Sequence, residues 1–495
     1  MTFSDYLNDL KGRRVAVVGA GVSNTPLIKA LIMAGVDTTV CDKMTLDELG
    51  ETARMFRSHG ARLRLGAGYL DGLDADVVFR TPGIMPSNAA LRSAVARGAE
   101  LTSEIEVFFD VCPCRIIAVT GSDGKTTTTS IISEILRKEG YRVHIGGNIG
   151  APLLCDADDM SADDIVVLEL SSFQLITMKK CPEIAVVTNI SPNHLDVHTD
   201  MNEYIEAKRN IFIRQKKCDR AIINYDNDIT RSLIGEAGGE VLLFSRRTAV
   251  EDGVYCDKGV IYRSTHGESD VLMPTNDIRL PGAHNIENYM AAFAAVRGLA
   301  SRESMVETAR VFGGVEHRIE FVRELRGVRY YNDSIASSPS RTIAGLKSFD
   351  QKVILIAGGK DKGVPFDELG CEISQHVKTL VLTGMTAEVI REAVEGGAVR
   401  KPDGEDAEAP CNDDANAPGD ERVCNLCDTF SAMPDNAAVP EIIVKDEFED
   451  AILAASGAAA AGDVVLLSPA CTSFDRFKNF EERGELFKKI VKELV

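Results

Sequence analysis

The chain lacks an excess of basic residues. Its 495 residues include 55 lysines and arginines against 75 aspartates and glutamates, so its net charge at pH 7 is -20. Proteins that bind nucleic acid present a basic surface, because neutralising the phosphates releases counterions. We therefore do not expect nucleic acid as a partner.

Long apolar segments are absent as well. No apolar run approaches the roughly 20 residues that a membrane-spanning helix requires. The first residues, Met1-Thr-Phe-Ser-Asp-Tyr6, contain neither the basic region nor the apolar stretch of a secretion signal. We expect a soluble, cytoplasmic protein without membrane insertion.

The twelve cysteines do not indicate a disulfide framework. Several lie in apolar runs, as Cys41 and Cys155 do, and in a reducing compartment such residues pack as small apolar side chains. Cys424 and Cys427 have the spacing of half a zinc site, with Cys411 nearby. No second pair or neighbouring histidine completes four ligands, so packing is the interpretation adopted and zinc is the alternative.

Length and strand pattern predict an α/β protein of about three domains. We expect a Rossmann-like domain over residues 1–103, a central phosphate-loop domain of the ATPase type over 104–314, and a second Rossmann-like domain over 315–495. Within the last, residues 400–440 contain ten acidic and three basic side chains. That composition predicts a solvated surface insertion.

The first domain begins with a nucleotide-type βαβ pattern. A β-branched strand from Arg14 runs into the turn Gly19-Ala-Gly21, and a second strand ends at Asp42, where a dinucleotide fold places its ribose-binding carboxylate. The third glycine of that fingerprint is replaced by Asn24. NAD is therefore one possible ligand, and uridine or another nucleotide is the alternative.

The central domain contains a phosphate loop. An apolar strand leads into Val119-Thr-Gly-Ser-Asp-Gly-Lys-Thr-Thr127, and a helical pattern follows. Backbone N–H groups and the helix N-terminus would bind phosphate oxygens, a lysine adds a point charge, and a threonine offers a hydroxyl to Mg²⁺. The residues assigned to ATP in this loop are Gly121, Ser122, Asp123, Gly124, Lys125, Thr126 and Thr127.

Polar residues follow two later apolar strands. Glu169 ends one strand, and the loop after the next contains His194 and His198, with Lys208 in the helix beyond. The carboxyl ends of parallel strands meet at one sheet edge, so Glu169 and the histidine loop predict a metal site beside the triphosphate, whereas Lys208 is ambiguous by itself. A surface glutamate and a packed histidine are the alternatives.

Taken in order, these segments resemble the Mur ligases, ATP-dependent enzymes that build the peptide stem of peptidoglycan. The resemblance spans nearly the whole chain. It is carried by Gly121 to Thr127, Gly146-Gly-Asn-Ile-Gly150, Leu168-Glu-Leu-Ser-Ser-Phe-Gln174, Asn193-His-Leu-Asp196, Lys208, Gly282-Ala-His-Asn285, His317-Arg318, Asn332-Asp-Ser334 and Leu467-Ser-Pro-Ala-Cys471.

The resemblance implies the roles of the catalytic residues. Lys125 and Thr126 would act at the ATP phosphates. Thr126 and Glu169 would hold one Mg²⁺, and His194 and Lys208 would hold a second. The matching lysine of the family is carbamylated, which makes it an anionic ligand.

The remaining ligand contacts are also implied by the resemblance. For the nucleotide they are Asn285, Arg318 and Asp333. For the muramoyl substrate it is Asn148, with Val22, Ser23, Asp42 and Thr81 at its uridine diphosphate. His317, together with Arg318, would contact both substrates. For the incoming amino acid they are Lys362, Ser473 and Phe480.

Within the family, the Gly146 to Gly150, Ser171 to Gln174 and Ser468 to Phe480 segments resemble the branch that adds D-glutamate to UDP-N-acetylmuramoyl-L-alanine. That reaction passes through an acyl phosphate, which the amine of D-glutamate attacks. One position departs from the pattern. Ile335 stands where many members have a lysine that helps to bind the glutamate carboxylate, so amino-acid selectivity is the open part of the prediction.

Two alternatives remain at this point. Another ligase of the superfamily, adding L-alanine, a diamino acid or γ-linked glutamate on folate, would share the ATP chemistry. The chain lacks the Asp-Asn-Pro-Arg element of the diamino-acid ligases. A noncatalytic nucleotide- or NAD-binding protein would keep the glycine-rich loops but would have no use for Glu169, His194 and Lys208 together.

Overall fold

The computed structural model describes residues 1–192, 197–361, 364–399 and 440–495. These residues form two compact units, 1–312 and 313–495. His194, Lys362 and most of the proposed acidic insertion, including its three cysteines, lie outside the described residues. Among the described helices, none combines the length and apolar character that a membrane crossing requires.

The first sheet has five parallel strands in the order β3-β2-β1-β4-β5. Its segments are α1 Phe3–Asp9, β1 Arg14–Val18, α2 Asn24–Met33, β2 Asp37–Asp42, α3 Leu46–Ser58, β3 Arg62–Leu65, β4 Val77–Arg80, α4 Ala89–Ala96, β5 Glu100–Thr102 and α5 Glu104–Val111. The strand order changes direction between β1 and β4, the place where such sheets bind ligands.

The second sheet has nine strands in the order β14-β13-β12-β11-β10-β9-β6-β8-β7. Its segments are β6 Arg115–Thr120, α6 Lys125–Glu139, β7 Val143–Gly147, β8 Ile165–Glu169, α7 Ser172–Leu175, β9 Ile184–Val187, α8 Met201–Arg209, β10 Arg220–Asn224, α9 Asp228–Ser232, β11 Glu240–Ser245, β12 Gly253–Asp257, β13 Val260–Thr265, β14 Glu268–Pro274, α10 Ala283–Ala295 and α11 Arg302–Val311. Short 3₁₀ helices cover Leu154–Asp159, Ile234–Glu236 and Thr275–Asp277.

The two sheets of the first unit share an apolar core. Val17 of β1, Phe108 of α5 and Leu168 of β8 belong to one cluster of buried side chains. The opposite face of the second sheet has its own core, to which Ile117 and Val119 contribute. Alternate residues of β6 thus face different cores, as the pleat of a strand requires. A domain boundary at residue 103 remains a prediction.

The second unit contains a six-stranded sheet in the order β15-β16-β20-β17-β18-β19. Its segments are β15 Glu320–Leu325, β16 Val328–Asn332, α12 Pro339–Leu346, β17 Val353–Ala357, α13 Asp367–His376, β18 Val377–Leu382, α14 Ala387–Val399, β19 Glu441–Val444, α15 Phe448–Gly457, β20 Val464–Leu467 and α16 Phe480–Glu493. Separate apolar cores cover its two faces.

Antiparallel hairpins extend both larger sheets. The β12–β13, β13–β14 and β15–β16 pairs are antiparallel, and two residues at positive φ join each pair. The turns are Lys258-Gly259, His266-Gly267 and Arg326-Gly327. Two consecutive positive φ angles match the twist of the flanking strands in a hairpin, and glycine at the second position lowers the cost of this geometry.

Candidate functional site

The phosphate loop connects the end of β6 to the first residue of α6, and its glycines are required by close packing. Gly121 has φ +152° and Gly124 has φ +78°. A Cβ atom on Gly121 would lie 1.9 Å from Thr188 Oγ1, just beyond β9. The loop therefore sits directly against the neighbouring strand end.

Lys125 opens helix α6 and folds back over the loop. Its Nζ donates hydrogen bonds to the carbonyl oxygens of Gly121 at 3.0 Å and Ser122 at 2.8 Å. Thr126 and Thr127 follow in the first turn. Because the 15-residue helix directs its N-terminus at the loop, the peptide dipoles and the lysine together favour bound phosphate.

Glu169 joins two other predicted site residues. Its Oε2 accepts a 2.7 Å hydrogen bond from Thr126 Oγ1, and its Oε1 accepts one of 2.8 Å from Asn148 Nδ2. The in-register pairing of Val119 with Glu169 places the carboxylate beside the strand that enters the loop. A hydroxyl, a carboxylate and an amide thus meet at the carboxyl ends of β6 and β8.

Lys208 is only 2% exposed, although its side chain carries an ionisable amine. Nζ donates to the Gly121 carbonyl at 2.7 Å and lies 4.6 Å from the centre of the Tyr204 ring. Burial, and then repulsion from Lys125, holds the pKa of Lys208 well below its ordinary value. The nearby carboxylates of Asp123 and Glu169 oppose this shift.

Two asparagine side chains of α10 connect this helix to α6, which follows the phosphate loop. The predicted Asn285 accepts a 3.0 Å hydrogen bond from Asn288 Nδ2, and Asn288 Oδ1 accepts one of 3.2 Å from Thr128 in α6. Asn285 also donates to the Pro281 carbonyl. From sequence, Asn288 lies in a segment whose amides could bind a base, but only Asn285 of that segment was assigned to the nucleotide. The sequence does place Asn288 three residues after Asn285, and residues three apart on a helix lie on the same side.

The predicted uridine residues lie around the carboxyl ends of β1, β2 and β4. Val22 is 80% exposed and Ser23 is half-buried at the start of α2. Thr81 packs against Gly19, where a Cβ atom would come within 2.9 Å of it. Asp42 is buried, and its oxygens accept the N–H groups of Ala20 at 2.7 Å and Met44 at 2.8 Å. In this structure Asp42 shapes the glycine turn.

In the second unit, Asp333 is a buried carboxyl group. It accepts hydrogen bonds from Ser468 Oγ at 2.8 Å and from the Ile319 N–H at 3.2 Å. Burial raises its pKa to about 7, against the opposing effects of the Ser468 bond and the Arg318 charge. Asp333 and Arg318 are therefore electrostatic neighbours.

His317 is also buried in the second unit, and it adopts φ +62°. Its Nδ1 lies 3.0 Å from Asn332 Nδ2, and its ring meets Phe480 edge-on at 5.9 Å. Ser334 Oγ donates to the Phe480 carbonyl at 2.7 Å. The predicted His317 and Phe480 are therefore in contact.

An unpredicted arginine connects two loops of this cluster. Arg483, 2% exposed, donates to the Ser334 carbonyl at 2.9 Å and the Cys471 carbonyl at 3.2 Å. It thereby joins the loop that carries Asp333 to the one that carries Ser473, which is buried. Nothing in the sequence pattern distinguished Arg483 from the charged residues around it on α16.

A nearby group of possible metal ligands is ion-paired with a lysine. Glu316, His317 and Glu485 place ligand atoms within 4.8 Å of one another. Lys488 Nζ lies 2.5 Å from a Glu316 oxygen and 2.6 Å from a Glu485 oxygen. These carboxylates are thus ion-paired, and we assign no metal to them.

Comparison with known proteins identifies the family. The Mur ligase middle domain matches residues 119–296, and the glutamate ligase domain of the Mur ligases matches residues 317–471. A UDP-N-acetylmuramoylalanine--D-glutamate ligase of Ruminiclostridium cellulolyticum is 48% identical over 490 residues, which cover 99% of this chain and 98% of the relative. The chain belongs to the Mur ligases. It is accordingly an ATP-dependent amide ligase of peptidoglycan precursor synthesis.

Other relatives of this Mur ligase carry the same name. The protein of Acetivibrio thermocellus is 47% identical over 99% of this chain and 98% of its own length. The protein of Clostridium novyi is 46% identical over 100% of this chain and 99% of its own length. Among solved structures, the UDP-N-acetylmuramate-alanine ligase MurC of Thermotoga maritima matches with a TM-score of 0.53 at 15% identity, covering 97% of this chain and 99% of that chain. MurF of Acinetobacter baumannii matches with a TM-score of 0.52 at 16% identity, and the match covers 77% of each chain. These two likenesses show the mixed α/β Mur ligase fold.

Proposed function

We propose that this Mur ligase adds D-glutamate to UDP-N-acetylmuramoyl-L-alanine and converts ATP to ADP and phosphate. The observation that carries the ATP chemistry is the convergence of Lys125, Thr126, Glu169 and Lys208 on one phosphate loop. The choice of D-glutamate is supported by the names of relatives that match over their whole length. The nucleotide-linked substrate is in keeping with a cytoplasmic reaction.

The reaction requires an activated carboxylate, because an amine does not displace oxide from one. An oxygen of the L-alanine carboxylate attacks the γ-phosphorus of ATP, and the bond to ADP breaks. The amine of D-glutamate then attacks the acyl phosphate carbon, loses a proton and expels phosphate. Lys125 and the N-terminus of α6 offset the charge that gathers on the transferring group.

The oxygen donors at the loop fit Mg²⁺, which prefers carboxylate and hydroxyl ligands. Thr126 and Glu169, already in contact, would hold one ion. His194 and carbamylated Lys208 would hold a second. Such ions supply Lewis-acid stabilisation of phosphoryl oxygens.

Burial of Lys208 supports its carbamylation. The unprotonated amine would attack the carbon of CO₂ and release a proton to solvent, and a lowered pKa makes that form of Lys208 more accessible than in an exposed lysine. The product is a carbamate anion, which has oxygen atoms suited to a hard cation. It also replaces a potential positive charge near Lys125 by a negative one.

The other assignments follow the resemblance. Nucleotide binding is proposed for Asn285, Arg318 and Asp333, and muramoyl binding for Asn148. His317 is proposed to contact both substrates. Uridine diphosphate is proposed to bind near Val22, Ser23, Asp42 and Thr81, where Asp42 acts by holding the glycine turn. Lys362, Ser473 and Phe480 are proposed to bind D-glutamate. Three domains, 1–103, 104–314 and 315–495, are proposed to carry the uridine, ATP and amino-acid sites.

Isotope transfer tests the acyl phosphate. The substrate would carry oxygen-18 in both carboxylate oxygens of its L-alanine. The proposed route predicts inorganic phosphate with a single heavy oxygen, detected by mass spectrometry, together with a D-glutamate amide product. Unlabelled phosphate accompanying that product would rule the route out.

A further inference from the structure

Ser172, His198 and Glu203 form a continuous chain of hydrogen bonds beside the phosphate loop. Ser172 Oγ lies 2.9 Å from His198 Nε2, and Glu203 Oε2 lies 3.2 Å from His198 Nδ1. Hydrolases use this order of groups to activate a serine. Here both Ser172 and His198 are 2% exposed, so a substrate carbonyl cannot approach the hydroxyl in this arrangement.

The imidazole of His198 is also enclosed by aromatic rings. It stacks on Phe173 with ring centres 5.0 Å apart and an interplanar angle of 5°. Its ring centre lies 5.3 Å from that of Tyr204, at an angle of 67°. With both nitrogens engaged, the orientation of the ring is set by contacts in four directions. His198 thus ties the segment after β8 to the first turn of α8.

Tyr204 extends this network to the active site. Its hydroxyl lies 3.0 Å from Ser122 Oγ in the phosphate loop. Its ring lies 4.6 Å from Nζ of Lys208, one helical turn later, and that Nζ reaches the Gly121 carbonyl. One side chain in contact with His198 therefore touches both the phosphate loop and the lysine proposed to bind metal.

We propose that His198 is a positioning residue for catalysis. It fixes Tyr204, and through Tyr204 it sets where Lys208 and Ser122 stand. This inference rests on the proposed function, because it treats carbamylated Lys208 as a metal ligand. Small displacements of catalytic groups lower rates strongly, and partners of metal ligands typically contribute about 10- to 100-fold to metal affinity or activity.

The test compares His198→Phe with wild type and with His59→Phe, which replaces an exposed histidine of the same unit. Phenylalanine keeps an aromatic ring between Phe173 and Tyr204 but removes both hydrogen bonds. Activity is measured against bicarbonate concentration in CO₂-depleted buffer, with kcat, the KM values of the three substrates and the melting temperature. We expect kcat of His198→Phe to fall about tenfold or more and half-saturating bicarbonate to rise several-fold. None of the three KM values should change much, and His59→Phe should match wild type.

A second pair of variants separates positioning from folding. Ser172→Ala removes one hydrogen bond to His198 and should shift the bicarbonate curve in the same direction. Tyr204→Phe keeps the ring beside Lys208 and loses the bond to Ser122, so kcat should fall while half-saturating bicarbonate stays near wild type. If His198→Phe does not fold, Ser172→Ala tests whether the network positions Lys208, and Tyr204→Phe tests the contact between Tyr204 and Ser122.

Two results would overturn the inference, and they are distinguishable. Folded His198→Phe, or Ser172→Ala in its place, with wild-type kcat and bicarbonate dependence would show that the network does not position Lys208. Wild-type enzyme that ignores bicarbonate would refute carbamylation itself and remove the basis for the Lys208 part of the inference. In that second case the proposed function fails at Lys208, whatever the variants do.

Discussion

Thr126 donates a hydrogen bond to Glu169 across 2.7 Å, from the first turn of α6 to the end of β8. The contact joins the helix that begins at the phosphate loop to the strand beside it. It follows from the register of the sheet, in which Val119 of β6 pairs with Glu169. The two residues proposed to hold one Mg²⁺ are therefore neighbours because of the fold.

Glu169→Gln tests whether the negative charge of Glu169 is needed to hold Mg²⁺. The amide keeps the size of the side chain and can still bond to Thr126 and Asn148, but it loses the negative charge that a cation needs. We expect kcat to fall about 100-fold and the Mg²⁺ concentration for half-maximal activity to rise. Glu134→Gln, a half-buried position on α6 whose carboxylate pairs with Arg137, is the control. Equal activity of the two variants at every Mg²⁺ concentration would remove Glu169 from the metal site.

Lys125→Met tests the role of the loop lysine. Methionine retains much of the aliphatic length but removes the charge directed at the phosphates, so kcat/KM for ATP should fall about 10²- to 10³-fold. Lys138→Met, near the other end of the same helix, should leave it unchanged. Steady-state phosphate release measures both. A Lys125→Met enzyme as active as Lys138→Met would contradict the proposed role.

Gly121→Ala tests the close approach of the loop to β9. The added Cβ atom would meet Thr188 Oγ1 at 1.9 Å, so the loop or the strand end must shift. We expect a loss of ATP affinity and a cost of about 1–3 kcal/mol in stability. Gly235→Ala is the control, because it has open space around it and no positive φ. Calorimetry of nucleotide binding gives the ATP affinity, and calorimetry of thermal unfolding gives the change in stability. An unchanged nucleotide affinity of Gly121→Ala would refute the close-packing argument.

Much of the loop and its surroundings could be predicted from sequence. Apolar strands that end in polar residues located Glu169, and the glycine-lysine-threonine order located the start of α6. Tyr204 and Asn288 could not be assigned this way, because their importance depends on which helices pack behind the loop. The roles of all the assigned site residues stay predictions, and His194 and Lys362 lie outside the described residues.

The antiparallel hairpins were also absent from the sequence-based prediction. Their turns, Lys258-Gly259, His266-Gly267 and Arg326-Gly327, carry the local signal of a residue followed by glycine. That signal is common in loops, and it becomes a hairpin only when the flanking strands find a sheet edge. Arg483 went unrecognised because its burial depends on contacts between loops far apart in sequence.

Asp333→Asn tests the effect of burial on a carboxyl group. The folded pKa of Asp333, about 7, lies above the ordinary 3.8, so the folded state keeps a proton that the unfolded chain loses over this range. The contribution of Asp333 to stability therefore falls as pH rises from about 4 to 7, by at most about 1.4 kcal/mol per pH unit.

The asparagine variant should lack this slope. Stability is measured by urea unfolding at pH 5 to 8, followed by hydrogen exchange in β16. As pH rises, the free energy of unfolding of wild type should fall relative to that of Asp333→Asn. This difference should become constant above about pH 7. Asp350→Asn, at an exposed position, should run parallel to wild type. A difference between wild type and Asp333→Asn that is constant with pH would contradict the assigned shift.

The central claim is the choice of amino acid, because Ile335 stands where a lysine was expected. Phosphate release from ATP, measured with UDP-N-acetylmuramoyl-L-alanine and a panel of single amino acids, tests it most directly. We predict release with D-glutamate and none with L-glutamate, L-alanine or a diamino acid. Release that depends on one of those others, and not on D-glutamate, would contradict the account.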